Sequence, residues 1–170
     1  MERLNKIIDS QEYNSYLQKN HQREQDRIFC RHTWQHFIAV ARITYLLILE
    51  EELAEELLTK WQLEEKNDLK EIVYTAAMLH DIGRWKQYDT GQDHAAVSAK
   101  LAVDLLEKYR YTALEKEIIL TAIKEHRGKP DSDKSILGCL LCRGDNLSRN
   151  CRECFAREKC KSVKNPTIKY

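Results

Sequence analysis

Proline and glycine are scarce: the chain holds two prolines and five glycines in 170 residues. With so few breakers and with Leu, Ala, Glu and Lys abundant, local preference favours helix almost throughout. No apolar run approaches the roughly 18 residues that a membrane span needs. Met1-Glu2-Arg3-Leu4-Asn5 also lacks the apolar stretch of a secretory leader. These absences make a cytoplasmic protein without a membrane partner the expectation. Thiols stay reduced in that compartment, so the six cysteines are not read as a disulfide framework.

Net charge is small as well, but the formal +1 conceals an asymmetry. From Lys134 onward nine Lys/Arg face three Asp/Glu, a balance of +6, which leaves residues 1–133 at −5. A basic end favours anionic partners, although a solvated basic face explains it equally well. A chain of this length is expected to form a single domain and can bury a core without staples.

Amphipathic spacing predicts the helices. Leu4, Ile7, Ile8, Tyr13, Tyr16 and Leu17 mark one leading helix or two short ones. From about Thr33 to Trp61 apolar residues run almost continuously through Phe37, Ile38, Val40, Ile43, Leu46, Leu47 and Leu49, then thin to Leu53, Leu57 and Leu58 among acidic residues, and length favours helix over strand there. Asn67 or Asp68 can cap a helix that runs through Leu69, Ile72, Val73 and Ala76 to His80, with Gly83 marking its end. Residues 84–93 read as a loop in which Asp89, Thr90 and Gly91 form turns and Asp93 caps the next helix. Helices then follow over about 94–109, 112–127 and 133–149, with Gly128 and Pro130 as a stop between the last two.

Histidines and carboxylates sit on the apolar stripes of these helices. Residues three, four, seven or eight apart share a helix face. His36 thereby joins Val40, Ile43 and Leu47, while His80 joins Val73, Ala76 and Ala77. His94 falls in line with Val97, Leu101 and Leu105, His126 with Ile119, Ala122 and Ile123, and Asp145 with Leu137 and Leu141. A lone buried histidine is usually a hydrogen-bonded core residue. Five such groups on five helices would each need a separate buried partner, whereas one cation satisfies all of them.

The run Leu79-His80-Asp81-Ile82-Gly83-Arg84 resembles the signature of the HD superfamily of metal-dependent phosphohydrolases. The family's other ligands have counterparts in the same order: His36 before Phe37-Ile38-Ala39-Val40, then His94, His126 in Glu125-His126-Arg127-Gly128, and Asp145 in Gly144-Asp145-Asn146-Leu147. The resemblance spans about residues 30–150 and is nearest to HD members that hold two metals, including bacterial diadenosine tetraphosphate hydrolases. It implies an all-α HD-domain helical bundle around a metal site. His36, His80, Asp81 and Asp145 would hold one ion, with Asp81 bridging to a second held by His94 and His126. His32, one turn before His36, is the rival first ligand, or a group acting on ligand or substrate from behind.

Imidazole and carboxylate ligands without thiolate leave Fe, Mn, Co, Ni, Mg and Zn all eligible. Hydrolysis of a phosphate ester or anhydride on a nucleotide or dinucleoside polyphosphate is the expected reaction, with His80, Asp81 and Arg84 as candidate catalytic residues. Arg84, Lys86, Arg127, Lys129 and Arg149 are the cations placed to bind phosphate. The contrasting reading is a non-catalytic HD module that senses a nucleotide or binds nucleic acid. Nucleic acid is disfavoured, because the basic tail 151–170 interleaves few aromatics and completes no finger pattern.

Cys151-Arg152-Glu153-Cys154 and Cys160 form a C-x2-C-x5-C group with metal-ligand spacing in its first pair. Cys30, Cys139 or Cys142 could supply a fourth ligand for a structural Zn²⁺ or an iron–sulfur cluster. Small buried cysteines and free thiols are the alternative.

Overall fold

The computed structural model describes residues 1–128 and 133–160. All regular structure among them is helical: α1 (Glu2–Ile8), α2 (Gln11–Arg23), α3 (Trp34–Glu50), α4 (Ala54–Lys60), α5 (Lys66–Leu79), α6 (Arg84–Thr90), α7 (His94–Lys108), α8 (Ala113–Glu125) and α9 (Ile136–Leu147), then a 3-10 turn, η1 (Arg157–Lys159). Helices α3, α5, α8 and α9 pack on one another, α7 lies on α8, and α6 bridges α2 and α7. Phe37, Leu47, Ile48, Leu69, Ile72, Leu79 and Ile119 are fully buried between them. The all-α bundle expected from composition and periodicity is the fold observed.

Side-chain caps fix most helix starts. Ser10, Thr33, Asp93, Thr112 and Ser135 each accept a hydrogen bond from a backbone N–H in the first turn. Helix α5 starts at Glu65, not at Asn67 or Asp68: Asp68 is the third residue of a reciprocal capping box with Glu65.

Three expected boundaries move. The apolar run from Thr33 to Trp61 is broken after α3, where Glu52 takes a left-handed φ of 57° and starts the turn into α4. Residues 84–93 contain a helix, α6, which the turn formers Asp89 and Thr90 hide, while Gly91 closes it at φ 74°. The last helix is shorter than expected and begins at Ile136. Gly128 adopts φ 85° as a stop requires; Pro130 and Lys129 lie outside the described residues.

Two glycines set close approaches. A Cβ on Gly83 would meet Ser98 N at 2.7 Å, so the turn after His80 can lie directly on α7, where Gly83 N also donates to Ser98 Oγ at 2.9 Å. A Cβ on Gly144 would meet Val40 O at 3.2 Å and the Thr44 hydroxyl closer still, so α9 can settle against α3.

One buried ion-pair network joins three helices. Arg3 in α1 donates both terminal nitrogens to Glu115 in α8, at 2.8 and 2.7 Å, and its Nε to Glu71 in α5 at 2.9 Å. Glu71 and Glu115 are 5% and 7% exposed, so neither has solvent to fall back on. Burial raises both carboxyls, but the N-terminus and Arg3 at Glu71, and Arg3 at Glu115, outweigh it and hold them below 4.5. A depressed folded value means the stabilisation is present above the unfolded value and lost as pH falls through the folded one. Arg3→Ala should therefore cost about 3 kcal/mol in a denaturant melt at neutral pH. It should also flatten the loss of stability expected of the native chain on acidification below pH 4.5.

Candidate metal centre

Every histidine and aspartate singled out by periodicity lies at or near a helix end. His36 is in the first turn of α3, His80 caps the end of α5, His94 begins α7, His126 caps the end of α8, and Asp145 is in the last turn of α9. These ends meet, and the imidazoles form a chain: ring centroids are 5.6 Å apart for His36 and His80, 5.0 Å for His80 and His126, and 5.3 Å for His126 and His94. His80, Asp81, His94 and His126 are all at most 4% exposed.

Tautomers follow from what the outer ring nitrogens meet. His80 Nδ1 and His126 Nδ1 each lie 2.6 Å from a backbone carbonyl, of Ala77 and Ile123. A carbonyl only accepts, so both Nδ1 atoms carry the proton and both Nε2 atoms present a lone pair inward. At His36, Nδ1 meets Ser148 Oγ at 3.3 Å; that hydroxyl spends its proton on Asp145 O, so the imidazole donates here too. His94 Nδ1 sits 2.6 Å from Gln87 Oε1. Four imidazoles thus turn their Nε2 atoms inward.

Those atoms converge on two carboxylates. Asp81 Oδ1 is 3.1 Å from His94 Nε2 and 3.7 Å from His126 Nε2, while Oδ2 is 3.4 Å from His80 Nε2. His36 Nε2 is 3.4 Å from Asp145 Oδ1. Despite these separations, His36 Nε2, His80 Nε2 and Asp81 Oδ1 have no hydrogen-bond partner among the described residues. Lone pairs facing lone pairs make no hydrogen bond, and burying them unpaired is costly. A cation between them removes the cost, and the sets His36/His80/Asp145 and His80/Asp81/His126 each bring their ligand atoms within 4.8 Å of one another. Nitrogen and oxygen donors with ordered outer partners suit a divalent ion.

Electrostatics keep the ligands ready. Burial pushes His36 down to about 4. Burial outweighs the pull of Asp81 at His94, which falls to about 3, and at His126, which is lowered too. All three are therefore neutral near pH 7.

His32 differs. Its Nε2 is 3.0 Å from Asp81 Oδ2 and its Nδ1 makes a short contact with Glu24 Oε1. Burial pulls it down, but Asp81 and Glu24 outweigh that and hold it up to about 9. Held between the two carboxylates, His32 braces Asp81 while His36 faces the interior. Its ligand atom nevertheless lies within 4.8 Å of those of His36 and Asp81.

The expected cations scatter. Arg84 folds into the site, with Nη1 2.7 and 2.9 Å from the two His94 ring nitrogens. Arg149 pairs with Asp145 at 2.7 Å, and the exposed Arg127 pairs with Asp93 at 2.7 Å beside His94. Lys86 stacks over Trp85, 4.7 Å from its centroid. Cys30, Cys151 and Cys154 line a cleft that also contains His36, Arg27, Arg31 and Arg149, whereas Cys160 follows η1. Cys142 is buried in α9, with Sγ 3.3 Å from Gly128 O.

Two residues of the α2 end were missed. Glu24, 2% exposed, holds His32 and accepts from Tyr88 at 2.7 Å. Asn20, fully buried, donates to Asp81 O at 2.8 Å and accepts from Trp85 N at 2.7 Å, clamping both sides of the His80–Gly83 turn. Asn20 and, four residues on, Glu24 continue the stripe of Tyr13 and Tyr16, which was the available signal. Asn20→Ala should weaken metal binding about 10- to 100-fold, as loss of a ligand's outer support does. Calorimetric titration of the native and substituted chains with Mn²⁺ checks this.

Residues 33–150 match the HD domain family. A protein of Clostridium beijerinckii, described as an uncharacterized protein, is 39% identical over 160 residues, which covers 94% of this chain and 92% of its own length. No solved structure matches the chain. The chain belongs to the HD domain family, whose members are in general metal-dependent phosphohydrolases.

Proposed function

We propose that this chain hydrolyses a phosphate ester or anhydride of a nucleotide at a two-ion centre, with a dinucleoside polyphosphate as the favoured substrate. The observation that carries the reading is the division of Asp81: one oxygen faces His94 and His126, and the other faces His80. His36, His80, Asp81 and Asp145 would hold the first ion, and Asp81, His94 and His126 the second, as in the two-metal relatives the motif resembles. When bound, such ions acidify a water and offset the negative charge of phosphoryl oxygens.

The chain's own groups supply the rest. His32 donates to Asp81 Oδ2 and keeps that carboxylate in orientation from the side away from His94. Arg84 and Arg149 stand beside His94 and Asp145, close enough to exchange these partners for phosphate oxygens. A cleft of about 620 Å³, lined by Arg27, Arg31, His36, Ser148 and Arg149, leads to His36 from the α2–α3 side. That volume lies in the range of small-molecule sites, and its three arginines favour a substrate with several phosphates.

Two measurements test the reading. Screening nucleotides and dinucleoside polyphosphates with Mn²⁺, Fe²⁺ or Co²⁺ should reveal turnover that Asp81→Ala abolishes; no turnover by protein shown to contain metal would favour a sensing module instead. Metal analysis of variants should show Asp81→Ala without either ion, while His94→Ala and His126→Ala lose the second ion more than the first. Equal metal content in all three would contradict the bridging role.

A further inference from the structure

The segment after α9 is poorly explained by burial. Residues 151–160 form successive tight turns: Arg157 N donates to Cys154 O at 3.1 Å, Lys159 N to Ala156 O at 3.1 Å and Cys160 N to Arg157 O at 3.2 Å. Ala156 is the only buried residue there, and Phe155 is 84% exposed. One small apolar side chain buries far too little area to offset the entropy of ordering ten residues. Some other constraint holds the segment in place.

The segment carries three cysteines, all free thiols. Cys151 and Cys154 line the same cleft as Cys30, which lies in the connection between α2 and α3. Cys160 caps the C-terminal end of η1, which follows Cys154 in the same run of turns. The connection carrying Cys30 is itself braced, since Arg27 Nε donates to Cys30 O at 2.8 Å and Arg31 Nε to Arg27 O at 3.1 Å. Of the further cysteines, Cys142 is turned instead toward Gly128 O.

We propose that Cys30, Cys151, Cys154 and Cys160 bind a structural Zn²⁺ that fastens residues 151–160 to the α2–α3 connection and fixes one wall of the cleft leading to His36. Four thiolates favour Zn²⁺ or an iron–sulfur centre over the harder ions that suit imidazole and carboxylate, so this site and the His/Asp centre select differently. The C-x2-C turn is the usual way a chain offers two sulfurs to one ion. The groups whose ligand atoms already lie within 4.8 Å are histidines and aspartates, so zinc binding draws the 151–160 turns in onto Cys30. Each coordinating thiol gives up its proton on binding. A tetrathiolate zinc carries two negative charges, which offset part of the positive charge that Arg27, Arg31 and Arg149 bring to the cleft and leave the remainder for substrate phosphates. Arg149 also reaches Asp145, so it stands between the two metal sites.

The test uses full-length protein purified in reductant without chelator. Elemental analysis should find a zinc equivalent that persists in Asp81→Ala, that a mercurial thiol reagent releases, and that Cys151→Ser and Cys160→Ser lose while Cys139→Ser retains it. Because serine variants can misfold, Co²⁺ substitution of the unmutated chain provides a second readout: thiolate-to-cobalt charge-transfer absorption is expected. Free titration of all thiols in the native protein without metal release overturns the proposal. Acid-labile sulfide, or cobalt spectra without sulfur ligation, overturns it as well.

Discussion

Asp81 is the constraint on which the rest of the structure rests. A buried carboxylate facing several inward-turned imidazoles is stable only if its surroundings are held in register, and each surrounding element contributes. His32, braced by Glu24, donates to one oxygen; Asn20 holds the backbone carbonyl of the same residue; Gly83, two positions on, sits against Ser98 at the start of α7. The His80–Gly83 turn is thus pinned from α2, from the α2–α3 connection and from α7. Repacking any of these moves the carboxylate.

The bundle gathers these groups by bringing helix ends together. Helices have unpaired carbonyls at their C-terminal ends, and two such carbonyls, of Ala77 and Ile123, accept the Nδ1 protons of His80 and His126. The caps of α5 and α8 therefore orient the imidazoles as well as ending the helices. The Arg3 network at the far side of α5 and α8 joins the same two helices through buried carboxylates. Scaffold and site share their supports.

Much of this was legible in the sequence because a polar group on an apolar stripe is conspicuous. His36, His80, His94, His126 and Asp145 stood out for that reason, and the structure brings them together with Asp81. What failed was local chemistry overridden by tertiary context. Glu52 takes a left-handed conformation inside a run of acidic helix formers, and α6 forms over residues rich in turn formers because α2 and α7 pack against it. Lys86, one step from the motif, turns instead to Trp85. The arginines of the α2–α3 connection act across the fold from a polar stretch without periodicity, so nothing local marked them.

Chemistry at the site depends on whether the division of Asp81 reflects two ions. Anomalous X-ray scattering at the manganese edge, from crystals grown with Mn²⁺, addresses this without reference to any substrate. Two peaks flanking Asp81, one beside His36, His80 and Asp145 and the other beside His94 and His126, are the expected result. A map with no peak at Asp81, and with the imidazoles still facing its oxygens as they do here, would contradict the account.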